Sequence, residues 1–241
     1  MHQILNPPCR RPKLGALTVS CPMVVGALGH DLGYAPLPIT RMAVEAQCQI
    51  SMGFVKTTIE AYYPQTWRPS PLQLCAPKTV AAVVSEVVVE NLVRDQVYLT
   101  AIVPADEATK GGYKPSVAYD PTGAPVTGRP PSDPELFLLP LPGRCQPGDR
   151  LRITLTTFEP LTFSDGSYGL RLATEIPPGM VPQGYHLGQL LEVIYTINTG
   201  SPTPVKYESR SGHELTVGLQ APGRVTLSAA VGPQAQAGLG T

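Results

Sequence analysis

The stretch 41-RMAVEAQCQISMGFVKTTIEAYY-63 decides the fold class. Over residues 41–51 the odd positions read Arg, Ala, Glu, Gln, Gln, Ser, while the even ones read Met42, Val44, Ala46, Cys48 and Ile50. A period of two means successive side chains point to opposite faces, so this run predicts a strand with one buried side. On that side Cys48 serves as a small hydrophobe. Beyond Met52-Gly53 the alternation resumes, with Val55, Thr57, Ile59, Ala61 and Tyr63 on one side and Lys56, Thr58, Glu60 and Tyr62 on the other. Two such runs divided by a Gly predict an antiparallel hairpin that turns at Met52-Gly53.

The same reading extends in both directions. Residues 16–21 predict a first strand followed by a Gly-rich loop. The segment 64-PQTWRPSPLQLCAPK-78 holds four prolines, which lack the N–H that a ladder needs, and is read as a loop that excludes a central strand. Trp67 lies here, as an anchor on the sheet edge. Residues 80–90 contain six valines among eleven residues, which favours a strand over a helix; they pair with 96–103 through 91-NLVRD-95. Residues 104–134, with seven Pro and four Gly, form a long irregular excursion.

Strands at 135–141 and 150–158 flank 142-PGRCQPGD-149, which raises a question: a ligand loop bearing Cys, Arg and Asp, or the hinge of a hairpin. The Pro-Gly and Pro-Gly-Asp steps favour the hinge, because they set the dihedrals of a turn. A tight turn at 164-SDGS-167 leads to a return strand over 168–176, a Pro/Gly loop follows at 177–188, and a strand spans 190–197. The closing pair is 214–220 and 224–231 around Ala221-Pro222-Gly223. Ten to eleven strands without a helix predict an all-β fold, an antiparallel β-sandwich with long Pro/Gly-rich loops. Its domain spans 14–231, between tails at 1–13 and 232–241.

Composition narrows the function classes. At 241 residues, a single domain buries roughly 70–75% of its unfolded surface and needs no disulfides to hold a core. Lys+Arg and Asp+Glu balance at 18 each, so no dominant field attracts nucleic acid. The longest apolar run, 80-VAAVVSEVVV-89, is interrupted by Ser85 and Glu86, so no membrane span is expected. Five cysteines, odd in number and without a C-x-x-C pair, indicate neither a disulfide framework nor a zinc site and favour a reducing compartment, the cytoplasm. The alternative is a secreted or organellar protein: Arg10, Arg11 and Lys13 precede the apolar 14-LGALTVSCPMVVGALG-29, which makes 1–27 a candidate targeting peptide.

Reactive constellations are not apparent. None of His2, His30, His186 and His213 stands in a G-x-S-x-G elbow or an H-E-x-x-H helix. The string 165-DGSYG-169 begins like a metal-ion-dependent adhesion site, yet Gly169 stands where a second serine belongs, and Asp-Gly between alternating strands reads as a hairpin turn. Lys110-Gly111-Gly112 alone cannot cradle a phosphate. No catalytic, cofactor-binding or metal-ligating residue is therefore assigned, and a non-enzymatic protein is expected. Trp67 and Arg144 are the candidate interaction residues. A carbohydrate- or ligand-binding alternative would use Trp67, Tyr62, Tyr113 and Tyr119.

The run 36-PLPITRMAVEAQCQISMGFVKTTIEAYYP-64 resembles the opening of the VIT domain (vault protein inter-alpha-trypsin domain), and 136-LFLLPLPGRCQPGDRLRITLTTFEPL-161 resembles its signature of strand, Pro-Gly-acidic turn, alternating strand and closing Leu. The segments 167-SYGLRLATEIPPGM-180 and 213-HELTVGLQAPGRVTLSAA-230 are similar to its later strand and last hairpin. Residues 64–134 depart from the family, with Pro/Gly-rich text in place of an acidic, helix-bearing segment. The family pairs this domain with a von Willebrand factor A domain that carries an adhesion metal, but these residues hold no such domain, so the resemblance implies no metal and no cofactor. It implies a structural, protein-interaction module, a scaffolding subunit whose partners are other proteins in a larger assembly.

Overall fold

The computed structural model describes residues 13–14, 17–27, 34–67, 71–79, 81–100, 136–141, 145–164, 166–170, 172, 175–185, 190–200, 202 and 214–230. The fold is all-β. Its strands are β1 (Lys13–Leu14), β2 (Leu17–Thr18), β3 (Met23–Ala27), β4 (Tyr34–Pro36), β5 (Ile39–Gln49), β6 (Met52–Tyr62), β7 (Leu72–Pro77), β8 (Val83–Asn91), β9 (Gln96–Thr100), β10 (Leu136–Pro140), β11 (Arg150–Pro160), β12 (Thr162–Ser164), β13 (Ser167–Gly169), β14 (Leu191–Asn198), β15 (Glu214–Ala221) and β16 (Arg224–Ala230). A 3₁₀ turn, Pro178–Met180, buries Met180.

Two sheets carry the core. The larger has eight strands in the order β15-β16-β14-β5-β6-β11-β8-β9; the smaller has four, β10-β7-β3-β4. Met42, Val44, Ile59, Ile153 and Val87 from the first meet Met23, Val24, Leu74 and Leu136 from the second in one hydrophobic cluster, as alternation requires of a sandwich. Nearly every ladder is antiparallel. The exception corrects the all-antiparallel expectation: β14 runs parallel to β5, from Leu191↔Met42 to Asn198↔Gln49, which is possible because a long stretch of chain separates them.

The β5–β6 hairpin forms, but its turn lies at Ile50-Ser51 rather than Met52-Gly53, since Gln49 faces Met52. Gly53 instead points inward within β6, where a Cβ would come within 3.0 Å of Leu170 Cδ1 and 3.2 Å of Leu161 Cδ2. Ile50, expected on the buried face, is exposed in the turn at φ 56°, a conformation that β-branched residues disfavour. Cys48 is half-buried.

Three other expectations are corrected. The proline-rich 64–78 does contain a central strand, for β7 lies between β10 and β3; Pro71 precedes it and Pro77 is its last residue, positions where a missing N–H costs little. In place of a strand over 16–21, the chain forms the short β2 and then β3, which follows Pro22 and buries Met23, Val24 and Val25. The return strand after Gly166 ends at Gly169. The pairs β8–β9 and β15–β16 form as read, Asn91 facing Gln96 and Ala221 facing Arg224. Residues 1–12, 104–134 and 232–241 lie outside the described residues.

Candidate interaction surface

The strands on either side of 142–149 do not form a hairpin. β10 pairs with β7 in the small sheet, whereas β11 pairs with β6 and β8 in the large one, so the chain changes sheets here. A corner of this kind must satisfy backbone groups that no ladder reaches. Gly148 N–H donates to Tyr63 O at 3.0 Å, and Tyr63 N–H donates to Asp149 O at 2.8 Å. Gly148 adopts φ 90°, and a Cβ there would lie 2.6 Å from Gln65 Nε2. The Asp149 carboxylate, 3% exposed as a residue, accepts from Gln146 N–H at 2.8 Å and from Arg94 Nε at 3.2 Å. Arg94 arrives from the β8–β9 turn. That turn is itself closed by Asn91 Oδ1, which accepts from the N–H groups of Val93 and Arg94, and by Leu92 N–H donating to Arg150 O. Every polar group named here has a structural partner.

The outer face of the large sheet is different. Read across the registers, one row runs Arg41, Glu60, Arg152, Glu90 and Val97. Arg152 bonds Glu60 at 3.0 Å and approaches Glu90 at 3.8 Å, while Arg41 bonds Glu192 at 2.7 Å with both side chains half-exposed, a pair worth no more than about 1 kcal/mol. The next row is uncharged: Ala43, Thr58, Thr154, Val88, Leu99. A third holds Glu45, Lys56, Thr156 and Glu86, and a fourth holds Gln47, Phe54, Phe158 and Val83. Phe54 and Phe158 meet edge to face at 5.0 Å. Between the last two rows lies a cleft of about 570 Å³ lined by Glu45, Gln47, Phe54, Lys56, Ser85, Glu86 and Thr156. It forms where β8 bulges at Ser85, whose hydroxyl donates to Thr156 O at 3.2 Å.

Exposed apolar side chains mark this face and its ends. Phe158 is 40% exposed and Val83 60%; at the β9 edge Val97 is 60% and Leu99 72% exposed. At the other edge β15 exposes Val217 and Leu219. None was singled out from the sequence, although the alternation of 96–103 carried the signal, because exposure depends on which strand ends the sheet.

The described thiols are buried or half-buried. Burial pushes Cys75 up to about 12 and Cys145 up to about 11, and Cys21, raised further, sits 3.8 Å from Met180 Sδ. Glu159 points inward beside Gly53; its burial raises its carboxyl above the usual range, opposed by a 3.3 Å bond from Thr79 Oγ1. No group of three or more His, Cys, Asp or Glu among the described residues is arranged to hold a metal ion. No helix among them is long and apolar enough to cross a membrane.

Of the two interaction residues read from the sequence, Trp67 is half-buried, edge to face with Tyr63 at 5.7 Å, its backbone N–H donating to Pro64 O at 3.1 Å. It anchors the loop after β6 against the core. Arg144 lies outside the described residues, as do Tyr113, Tyr119 and the four histidines; Tyr62 is half-buried at the end of β6. Compared with models of known protein families and with curated proteins, the chain matches none.

Proposed function

We propose that the protein is a non-enzymatic interaction module of the VIT type, a structural subunit of a larger cytoplasmic protein assembly. The observation that carries this reading is the aromatic pair Phe54–Phe158 on the outer face, next to exposed Val83 and rimmed by Glu45, Lys56 and Glu86. Aromatic anchors inside a polar rim are what binding hot spots are made of. The corner at 145–150 supports the same reading, since its polar groups are engaged by the end of β6 and by the β8–β9 turn. The described cysteines are unpaired, which suits a reducing compartment.

Crosslinking mass spectrometry in native extract, followed by affinity capture, tests it. Wild-type protein is expected to retain a stoichiometric protein partner that crosslinks near Lys56, and Phe158→Glu, on the exposed side of the sheet, is expected to lose it while remaining folded. A chain that stays partner-free, or a partner unaffected by Phe158→Glu, removes the reading.

A further inference from the structure

Among the described residues, four strands form the edges of the two main sheets, and they differ in how they are guarded against pairing with another chain. β4 is three residues long and ends in Pro36. β10 ends in Pro140, and its residues are buried or half-buried. The β15 register skips Gly218 and Leu219, so that edge is bulged. Short length, proline and bulges are the usual protections of a sheet edge. β9, 96-QVYLT-100, has no proline, no bulge and no charge, and it presents Val97 and Leu99 at 60% and 72% exposure.

The strand is also complementary to itself. An antiparallel pair of identical strands has a two-fold axis perpendicular to the sheet, and alternation then requires some residue to face its own copy. With Tyr98 at that centre, Val97 lies opposite Leu99 of the second copy on the outer face, twice over, and Gln96 lies opposite Thr100. Apolar cross-strand pairs of this kind stabilise a ladder. The charges agree with this register. The charged row Glu60, Arg152, Glu90 leads to Val97, and the uncharged row Thr58, Thr154, Val88 leads to Leu99. Pairing Val97 with Leu99 therefore continues each charged row into the neutral row of the other copy. Centring on Val97 would instead aim the two Glu90 rows at each other.

We propose that the chain self-associates through antiparallel β9–β9 pairing centred on Tyr98, which joins two eight-stranded sheets edge to edge. A five-residue ribbon is small beside the roughly 800 Å² per partner of a standard interface, so the dimer is weak and concentration-dependent. This contact is independent of the Phe54–Phe158 face and stands or falls separately from it.

Sedimentation velocity of the full chain over about a hundredfold concentration range tests the proposal through mass action. Wild type is expected to shift from monomer towards dimer and no further. Leu99→Lys, at an exposed position, is expected to remain monomeric with an unchanged melting temperature, and Val217→Lys on the opposite edge is expected to dimerise as wild type does. The register is read separately: mixed Val97→Cys and Leu99→Cys chains are expected to give an oxidised heterodimer whose linked peptides join 97 to 99. A wild type monomeric throughout, a dimer that survives Leu99→Lys, assemblies beyond the dimer, or linkage that ignores the 97–99 pairing would each overturn it.

Discussion

The corner at 145–150 and the edge strand β9 are joined through Arg94, yet they are opposites. The corner has the residues that look like chemistry: a cysteine, a buried aspartate, an arginine salt bridge and a glycine at positive φ. The structure uses all of the polar ones, with Asp149 receiving Arg94 and the Gln146 N–H, and with Tyr63 accepting from Gly148 N–H and donating to Asp149 O. β9 has no charge and no thiol, and among the described residues it is the edge without a proline or a bulge. Reactive side chains buried with complete partners hold a fold together; a plain apolar strand at an open edge is what remains available to another molecule.

The largest test of this contrast falls on the corner. Asp149→Ala leaves the Gln146 N–H without its acceptor and Arg94 without its carboxylate, and is expected to lower stability by about 2–3 kcal/mol. Asp149→Asn, which keeps an acceptor, is expected to cost about 1 kcal/mol, both read from urea midpoints. If Asp149→Ala is neutral, the corner is not the structural joint described.

A second buried carboxylate, towards the far end of β11, sharpens the point. Glu159 is met by a hydroxyl rather than a cation, and its folded-state pKa lies above its unfolded value. The folded protein therefore binds this proton more tightly than the unfolded chain. Stability is expected to fall as pH rises from the unfolded carboxylate value through the folded one, and to be unaffected by this group outside that window. Glu159→Gln is expected to remove the fall, measured by urea unfolding at stepped pH.

The smallest stability effect is expected at the edge. Leu99→Lys makes no core contact and is expected to change stability by less than about 0.5 kcal/mol while abolishing self-association. A large destabilisation would mean that β9 belongs to the structural part of the molecule, and the contrast would collapse.

Much of the fold was legible locally. Alternation in 41–63 and 150–158 identifies the buried and exposed faces within the strands, Ile50 in the turn being the exception, since that period is a property of the extended backbone. The valine-rich pair around 91–95 and the hairpin at Pro222-Gly223 were equally readable. The hairpin turn at Ile50-Ser51 was misplaced because a glycine signals both turns and close packing, and Gly53 serves the second. Of the candidate surface little was legible. Trp67 was correctly read as an anchor, while Phe54, Phe158, Val97 and Leu99 look no different in sequence from core residues.

By itself the sequence determined that the chain is all-β, which side of each long strand is buried, and where several turns fall, because those depend on residues within a few positions of one another. Tertiary structure alone decided that 142–149 is a crossing between sheets, that β14 lies parallel to β5, and that β7 is central. It also decided which strand ends the large sheet. Pairing partners come from distant parts of the chain, and a strand's pattern records that one face is buried without recording which neighbour lies beside it, or whether any does.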